Sequence, residues 1–190
     1  MGHEEGFSKN IADKLVGVES KEDIFQQYRN TPIESLFLSH NMGISKEYSS
    51  AELLVGMCMD NRKQLKIPSN FAYILRTGGG NLRFSEFKVS YAIGVGGVKA
   101  IALIGHNNCG MVNLISKKDR FIRGLVENAG WDAERAEEHF MNFAPMFEID
   151  DEIEFVLSEA KRLRNKYPKI LIAPLMYNVE DNLLYLIKEI

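Results

Sequence analysis

Two stretches of sequence decide the fold, and they read LLVGMCMDNR over residues 53–62 and AIALIGHNNCG over residues 100–110. Each begins with an apolar run typical of a buried β-strand. Each ends in reactive side chains, Cys58 in the first and His106 and Cys109 in the second. Open α/β sheets place their sites at the carboxyl ends of parallel strands. The two stretches therefore predict parallel strands that share a site.

The two cysteines and the histidine are candidate ligands for one zinc ion. Cys58 and Cys109 are the only cysteines of the chain. A structural zinc is normally closed by four protein ligands, whereas a catalytic zinc keeps three and leaves a position for water or substrate. The fourth donor here is water, a second histidine or Asp60, and we favour water with Asp60 close by. The alternative is a buried structural cysteine beside a hydrogen-bonded His106.

Asp60 and Arg62 are the candidate catalytic pair. Two thiolates cancel the formal charge of Zn²⁺, so its water is expected to be less acidic than in a site with three imidazoles. If the chain stays extended after Cys58, the period of two places residues 58, 60 and 62 on one side. Arg62 then keeps Asp60 ionised through a bidentate pair. Asp60 in turn accepts the hydrogen of the zinc-bound water and orients it.

Three consecutive glycines, Gly78, Gly79 and Gly80, follow an apolar run at residues 71–75 that predicts a strand. Their spacing does not match a phosphate-binding loop. We expect small residues here to let the backbone pass close to the metal and to shape the substrate pocket. Arg76 and Arg83 flank the glycines and either hold an anion such as bicarbonate or form salt bridges.

Together these motifs resemble those of the β-class carbonic anhydrases, over most of the chain. That family has a strand ending in Cys-x-Asp-x-Arg, then Arg-Asn-Ala-Gly-Asn or Arg-Asn-Ala-Gly-Gly, a helix, another strand and His-x-x-Cys-Gly. The corresponding segments here are CMDNR at 58–62, RTGGG at 76–80 and HNNCG at 106–110.

The resemblance implies that Cys58, His106 and Cys109 bind one Zn²⁺ per chain and that Asp60 and Arg62 form the catalytic dyad. It also implies reversible hydration of carbon dioxide to bicarbonate and a proton by zinc-bound hydroxide. The implied assembly is a homodimer or homotetramer with its sites at subunit interfaces.

The sequence departs from the family pattern at Asn61, where many members have serine, and at Thr77 and Gly78, which replace asparagine and alanine. The last predicted strand also lacks the usual glycine-aromatic pattern. A branch of the same family hydrolyses carbon disulfide or carbonyl sulfide, which is the first alternative function. The second is a non-catalytic zinc-binding protein of this fold in which Asp60 is the fourth ligand.

Composition limits the class of protein. A chain of 190 residues with 45% hydrophobic content is expected to form one domain, residues 1–190, with residues 1–50 as an N-terminal helical arm and loop. A net charge of -3 with mixed charges argues against nucleic-acid binding. No apolar run approaches the roughly 20 residues of a membrane span. Two cysteines, both used for metal, suit a reducing compartment, so we expect a cytoplasmic protein.

The alternation of strands and helices predicts a mostly parallel sheet flanked by helices. We expect helices over residues 8–28, from Cys109 with Asn108 as its cap, over residues 133–147, and from Asp150 or Asp151 to before Pro168. A last central strand is expected near residues 170–173. The tail, residues 180–190, is expected to form an edge strand or a helix at a subunit contact.

The sequence also contains histidines and aromatic residues outside the motifs, for which we consider the following roles. His40, in a segment expected to be loop, is either a proton shuttle or a solvated histidine. His139, beside two glutamates, is expected on a solvated face. A helical stripe is expected in the core and consists of Phe84, Phe87, Tyr91, Ala92 and Val95. A second aromatic group, at residues 140–147, lines a substrate tunnel, fills a dimer seam or packs in the core.

Overall fold

The computed structural model describes residues 13–189, which form one six-stranded sheet flanked by helices. The strands are β1 (Leu15–Gly17), β2 (Leu53–Cys58), β3 (Ala72–Thr77), β4 (Ala100–His106), β5 (Leu171–Asn178) and β6 (Leu183–Ile187). Their order is β1-β6-β5-β4-β2-β3. Strands β5, β4, β2 and β3 are parallel, and β6 and β1 join antiparallel. The predicted mostly parallel α/β sheet is confirmed.

Between residues 13 and 189, five α-helices cover the sheet or extend from its carboxyl edge. They are α1 (Pro32–His40), α2 (Glu86–Gly94), α3 (Lys118–Ala129), α4 (Ala133–Phe147) and α5 (Glu152–Lys166). In β2, Leu53, Val55 and Met57 belong to the apolar core that includes α1, whereas Leu54 belongs to the core that includes α2 and α5. This alternation buries both faces of the sheet, as a parallel sheet requires.

The helices predicted over residues 133–147 and after Asp150 or Asp151 are both present, and each begins at a capping aspartate. The Asp132 carboxylate accepts a hydrogen bond from the Arg135 N–H, and the Asp151 carboxylate accepts hydrogen bonds from the first turn of α5. These contacts satisfy backbone donors that lack partners at a helix start. In the part of the chain from residue 13 to 189, no helix is long and apolar enough to cross a membrane.

The prediction of an N-terminal helical arm is wrong where the structure describes it. Residues 8–12 lie outside the described residues, but Leu15–Gly17 form β1, which pairs antiparallel with β6. Two single 3₁₀ turns follow, at Lys21–Asp23 and Gln26–Tyr28. The apolar residues here recur at helical spacing, but their contacts with the sheet and with α1 determine the local structure.

The segment expected to be loop contains α1 instead. The Thr31 hydroxyl accepts the Ile33 N–H at 3.2 Å, and Pro32 occupies the first helical position. Both are standard start signals of a helix. The buried residues Ile33, Leu36 and Phe37 face the sheet. His40 is therefore the last residue of a packed helix.

The C-terminal tail forms β6, which lies inside the sheet between β5 and β1. The expectation of an edge strand or helix is therefore wrong. Leu184 and Leu186 are fully buried in the core on the α1 side. The edge position is taken by the three-residue β1, whose pairing with β6 the sequence pattern did not reveal.

The aromatic stripe expected in the core lies mostly on the surface. Ala92 is buried, but the side chains of Phe87 and Val95 are 81% and 71% exposed. Beside them, Tyr73 of the edge strand β3 packs its ring over Gly96, where a methyl group would lie only 2.6 Å from that ring. We call this surface the β3–α2 face, and its exposed members are Tyr73, Ile74, Phe84, Phe87, Tyr91 and Val95.

Candidate metal centre

Strand pairing brings the three predicted metal ligands together. Strands β2 and β4 are adjacent and parallel, with Met57 opposite Ile104, so Cys58 and His106 end their strands at the same edge of the sheet. Cys109 follows in the next turn, and its Sγ lies 3.9 Å from the Sγ of Cys58. The ligand atoms of all three residues lie within 4.8 Å of one another, and all three side chains are buried.

This donor set fits a zinc ion. Two sulfurs bound to one tetrahedral zinc at about 2.3 Å would lie about 3.8 Å apart, close to the separation of the two sulfurs here. The Nδ1 atom of His106 lies 2.9 Å from the Asn107 carbonyl oxygen. A proton on Nδ1 leaves the lone pair on Nε2, which is buried and has no hydrogen-bond partner among the described residues. A metal ion would satisfy that nitrogen.

The two thiols lie within hydrogen-bond distance of each other. A hydrogen bond from Cys109 lowers the pKa of Cys58, whereas the same hydrogen bond and burial raise the pKa of Cys109. Because cysteine binds metal as the thiolate, acid would compete with a metal ion for this site.

The predicted helix from Cys109 is absent, and this expectation is wrong. Asn108 adopts a left-handed conformation with φ 53°, and the chain continues through turns to a 3₁₀ turn at Leu114–Lys117. A capping residue needs an extended backbone, so Asn108 cannot start a helix here. The Cys109 N–H instead donates to the Glu152 carboxylate at 3.2 Å. A helix dipole therefore does not assist ionisation of this thiol.

Asp60 and Arg62 form a bidentate pair, although the chain between them is not extended. The chain turns at Asn61, and the Arg62 N–H donates to Asp60 Oδ1 at 2.9 Å. The guanidinium Nη2 donates to Asp60 Oδ2 at 2.7 Å, and Nε also donates to the carboxylate. The expected extended geometry is wrong, but a tight turn produces the expected pair because it brings residue i+2 back to the carboxylate.

The electrostatics of this turn keep Asp60 ionised. Hydrogen bonds from Arg62 hold the pKa of the Asp60 carboxyl well below its usual range, against the opposite effect of burial. The Arg62 Nη2 also donates to the Asn108 carbonyl at 2.9 Å, which connects the two motifs. Nearby, burial lowers the pKa of Lys63, whose side chain is only 1% exposed. Asp60 lies outside the group of three ligands, so this arrangement gives no support to Asp60 as a fourth ligand.

Arg76 and Arg83 have structural partners and are not arranged as an anion site. Arg76 donates to the Cys58, Asp60 and Lys63 carbonyls at 3.0–3.4 Å and so fixes the loop after β2. Arg83 lies 3.6 Å from the carboxylate of Glu159 on α5.

The three glycines lie against the metal centre. Gly78, Gly79 and Gly80 are buried, and Gly79 and Gly80 have positive φ, which favours glycine. A methyl group on Gly78 would lie 3.1 Å from the Phe147 ring and 3.3 Å from the Met111 sulfur. At Gly80 it would lie 3.6 Å from the Cys58 backbone nitrogen. Small residues here allow close approach of three chain segments.

An apolar cavity of about 330 Å³ begins beside these glycines. We call it the aromatic chamber. The side nearest the metal ligands consists of Met59, Gly78 and Met111, and the helices α3 and α4 supply most of the remaining wall. Residues from those helices include Phe121, His139, Phe140, Phe143, Ala144 and Phe147. The segment 117–147 therefore forms a helical hairpin that lines a cavity beside the centre.

Two histidines differ from their sequence predictions. His139 is half-buried among aromatic rings, 4.8 Å from Phe143 and 5.2 Å from Trp131 between ring centroids, and it does not lie on a solvated face. His40 is buried, and its Nδ1 accepts the Lys66 N–H at 3.0 Å. Burial lowers the pKa of His40 to about 4. A buried imidazole of this kind is poorly suited to carry protons to solvent.

Sequence reasoning missed Glu180, which contacts both asparagines of the second motif. The Asn107 and Asn108 side-chain amides donate to its two carboxylate oxygens. No spacing rule connects residue 180 with residue 107, because the contact depends on the adjacent ends of β4 and β5.

The fold and the centre define a class of protein in which a parallel sheet presents two cysteines and a histidine at its carboxyl edge. A family model described as carbonic anhydrase matches residues 70–180, which include the glycines, His106 and Cys109 but not the first motif. The chain belongs to this family, the β-class carbonic anhydrases, which are zinc-dependent enzymes. A sequence search among curated proteins found no match.

Solved structures show the same fold. The β-carbonic anhydrase isoform I of Trichomonas vaginalis has a TM-score of 0.60 at 19% identity, over 87% of this chain and 99% of that chain. A carbonic anhydrase from Streptococcus mutans has a TM-score of 0.56 at 18% identity, over 77% of this chain and 89% of that chain. The apo form of a carbon disulfide hydrolase has a TM-score of 0.52 at 21% identity, over 80% and 85%. At these identities the likeness concerns the fold.

Proposed function

We propose that the protein binds one Zn²⁺ through Cys58, His106 and Cys109 and catalyses the reversible hydration of carbon dioxide to bicarbonate and a proton. The observation that carries this proposal is the convergence, at one buried point, of two thiols and an imidazole nitrogen that has no hydrogen-bond partner within residues 13–189. Zinc held there supplies Lewis acidity, which makes bound water a nucleophile near neutral pH. Family membership supports the same reaction.

Asp60 orients the nucleophile in this proposal. Because Arg62 keeps it ionised, the Asp60 carboxylate is a hydrogen-bond acceptor throughout the neutral range. It accepts one hydrogen of the attacking water, so the oxygen lone pair points toward the carbon of the substrate. Arg62 fixes the carboxylate through its guanidinium and its backbone N–H. The proton released by hydration passes to solvent.

The aromatic chamber holds the uncharged substrate in this proposal. Its apolar wall accommodates carbon dioxide without a desolvation penalty and disfavours charged bicarbonate. Bicarbonate is therefore expected to leave on the side of the centre where Asp60 and Arg62 lie.

Removal of single ligands tests the proposal. Cys58→Ser and His106→Gln are expected to lose both bound zinc and hydration activity, measured by metal analysis and stopped-flow indicator assays. Cys58 and His106 each end a central strand, so circular dichroism must confirm that the variants fold. A folded variant that lacks zinc and keeps the activity of the parent would refute the assignment.

A second candidate reaction, hydrolysis of carbon disulfide or carbonyl sulfide, is favoured by the size of the aromatic chamber. A water molecule occupies about 30 Å³ in the liquid, so a cavity of about 330 Å³ has room for substrates larger and more apolar than carbon dioxide. A carbon disulfide hydrolase shares the fold. Parallel assays of the three substrates on one zinc-loaded preparation decide between the reactions, with sulfide release as the readout for the sulfur compounds.

We infer that the β3–α2 face binds a second copy of the chain to form a homodimer, with a homotetramer as the larger alternative. The face combines an edge strand, open to pairing within the described chain, with four exposed apolar side chains on and beside α2. Contiguous exposed apolar surface of this kind is typical of an interface. Phe87→Glu is expected to shift the protein to monomer in analytical ultracentrifugation. Met141→Glu, which alters an exposed apolar residue on α4, is the matched control.

The chemistry of the centre also bears on location. Two free sulfurs 3.9 Å apart must stay reduced to bind zinc, so we propose a reducing compartment, the cytoplasm.

A further inference from the structure

We propose that Glu180 is a positioning residue for the metal centre, because its carboxylate holds the turn that carries His106 and Cys109. The inference rests on the proposed zinc site and adds a residue from outside both motifs. Glu180 follows β5, whose end lies beside the end of β4, with His106 opposite Tyr177.

The first contact of Glu180 is with Asn107. The Asn107 side-chain amide donates to Glu180 Oε2, and its carbonyl oxygen accepts the Val179 N–H at 2.9 Å. Asn107 is itself buried, so its amide needs both partners. These two bonds fix the orientation of the whole residue.

Because its orientation is fixed, Asn107 in turn orients the proposed metal ligand His106. Its backbone carbonyl lies 2.9 Å from His106 Nδ1 and accepts the proton of that nitrogen. The bond selects the tautomer in which Nε2 is free to bind metal and also sets the ring orientation. Glu180 therefore acts on His106 through one intervening residue.

A second contact holds the turn from the other side. The Asn108 amide lies 3.4 Å from Glu180 Oε1, and the Asn108 carbonyl accepts from Arg62 at 2.9 Å. The negative charge of Glu180 also stabilises the Arg62 guanidinium. Asn108 has a left-handed backbone with φ 53°, a conformation that asparagine adopts more readily than most other residues. Glu180 and Arg62 hold this turn from its side-chain amide and its backbone carbonyl.

Two variants of Glu180 test the inference in the full-length protein. Glu180→Ala removes both contacts and is expected to weaken zinc binding about 10–100-fold, the usual effect of losing a group that orients a metal ligand. Glu180→Gln keeps the shape and one acceptor oxygen, so a smaller loss is expected. Glu127→Gln, an exposed carboxylate on α3, is the charge-matched control and is expected to bind zinc like the parent. Zinc affinity is measured by competition with a chromophoric chelator.

A second readout uses the metal-free protein. Two-bond ¹⁵N–¹H correlation spectra of His106 are expected to show the Nδ1–H tautomer in the parent and a mixture of tautomers in Glu180→Ala. A merely structural role for Glu180 would lower the melting temperature without changing this pattern. The inference is overturned if both Glu180 variants keep the tautomer and the zinc affinity of the parent.

The two readouts separate this inference from the proposed function. If the parent binds zinc without hydrating carbon dioxide, the proposed function fails, and the effect of Glu180 on affinity and tautomer still decides the positioning role. If the parent hydrates carbon dioxide and the Glu180 variants match it in both readouts, only the inference fails. If the parent binds no zinc, the proposed function and the inference both fail.

Discussion

The metal centre has a polar side and an apolar side, and they are built differently. On the polar side, Asp60, Arg62, Asn108 and Glu180 are joined by hydrogen bonds between turns at the ends of adjacent strands. On the apolar side, the aromatic chamber is made mainly by α3 and α4, which are far from the motifs in sequence. In the proposed reaction, the polar side orients the nucleophile and the apolar side admits the substrate.

The largest effect is expected from a change on the polar side that leaves the apolar side intact. Asp60→Asn removes the negative charge that pairs with Arg62. It is expected to lower kcat/KM for carbon dioxide about 100-fold, equivalent to about 2.7 kcal/mol, and to leave the zinc content unchanged. Stopped-flow assays and metal analysis check both parts. Asp119→Asn, at the exposed start of α3, is the matched control. Full activity in Asp60→Asn would show that the polar side does not orient the nucleophile.

Acid is expected to lower the stability of the protein through His40, which accepts a hydrogen bond from the Lys66 N–H in the loop after Arg62. Burial lowers the pKa of His40 to about 4 from its ordinary value of 6.5, so the unfolded chain binds more protons between these values. Stability therefore falls as the pH falls from 6.5 toward 4, by up to about 3 kcal/mol from this group.

Urea unfolding of metal-free protein measures this effect. His40→Asn keeps an acceptor for Lys66 but does not titrate, so its stability is expected to fall less than that of the parent below pH 6.5. Between pH 8 and 9, where almost all of His40 is neutral in both the folded and the unfolded state, the difference between the two proteins is expected to stay constant. If the parent and His40→Asn lost the same free energy of unfolding between pH 6.5 and pH 4, the role of His40 would be contradicted.

The smallest effect is expected from a change on the apolar side. A methyl group at Gly78 would press on Phe147 and Met111, so Gly78→Ala is expected to lower the free energy of unfolding by about 1 kcal/mol. It is also expected to lower kcat/KM about threefold, with a larger loss for carbon disulfide, because the chamber becomes narrower. Gly94→Ala, which meets open space on α2, is the control. If Gly78→Ala kept the parent's ratio of kcat/KM for carbon dioxide to kcat/KM for carbon disulfide, the chamber would have no role in substrate selection.

The two sides also differ in how well sequence predicts them. The cluster of Cys58, His106 and Cys109 was predictable because adjacent parallel strands end at the same edge of the sheet. The Asp60–Arg62 pair was predicted too, but from an extended geometry that the chain does not adopt. Helix α5 was predictable because Asp151 caps it. For the aromatic group at residues 140–147, the sequence left three alternative roles open. An aromatic pattern does not show which neighbouring element the side chains pack against.

The errors have one physical cause, which is that tertiary contacts override local pattern. Leu15–Gly17 joins β6 rather than a helix, and the apolar stripe of α2 faces outward beside the edge strand β3. The left-handed backbone of Asn108 replaced an expected helix start with a turn. Glu180 was missed because its partners are more than 70 residues away along the chain.

Titration of zinc into metal-free protein, followed by the initial rate of carbon dioxide hydration, tests the central claim most directly. The account predicts a rate that rises linearly and reaches its limit at one zinc per chain. Full binding of one zinc with no hydration above the uncatalysed rate would contradict the claim that this centre is a carbonic anhydrase site.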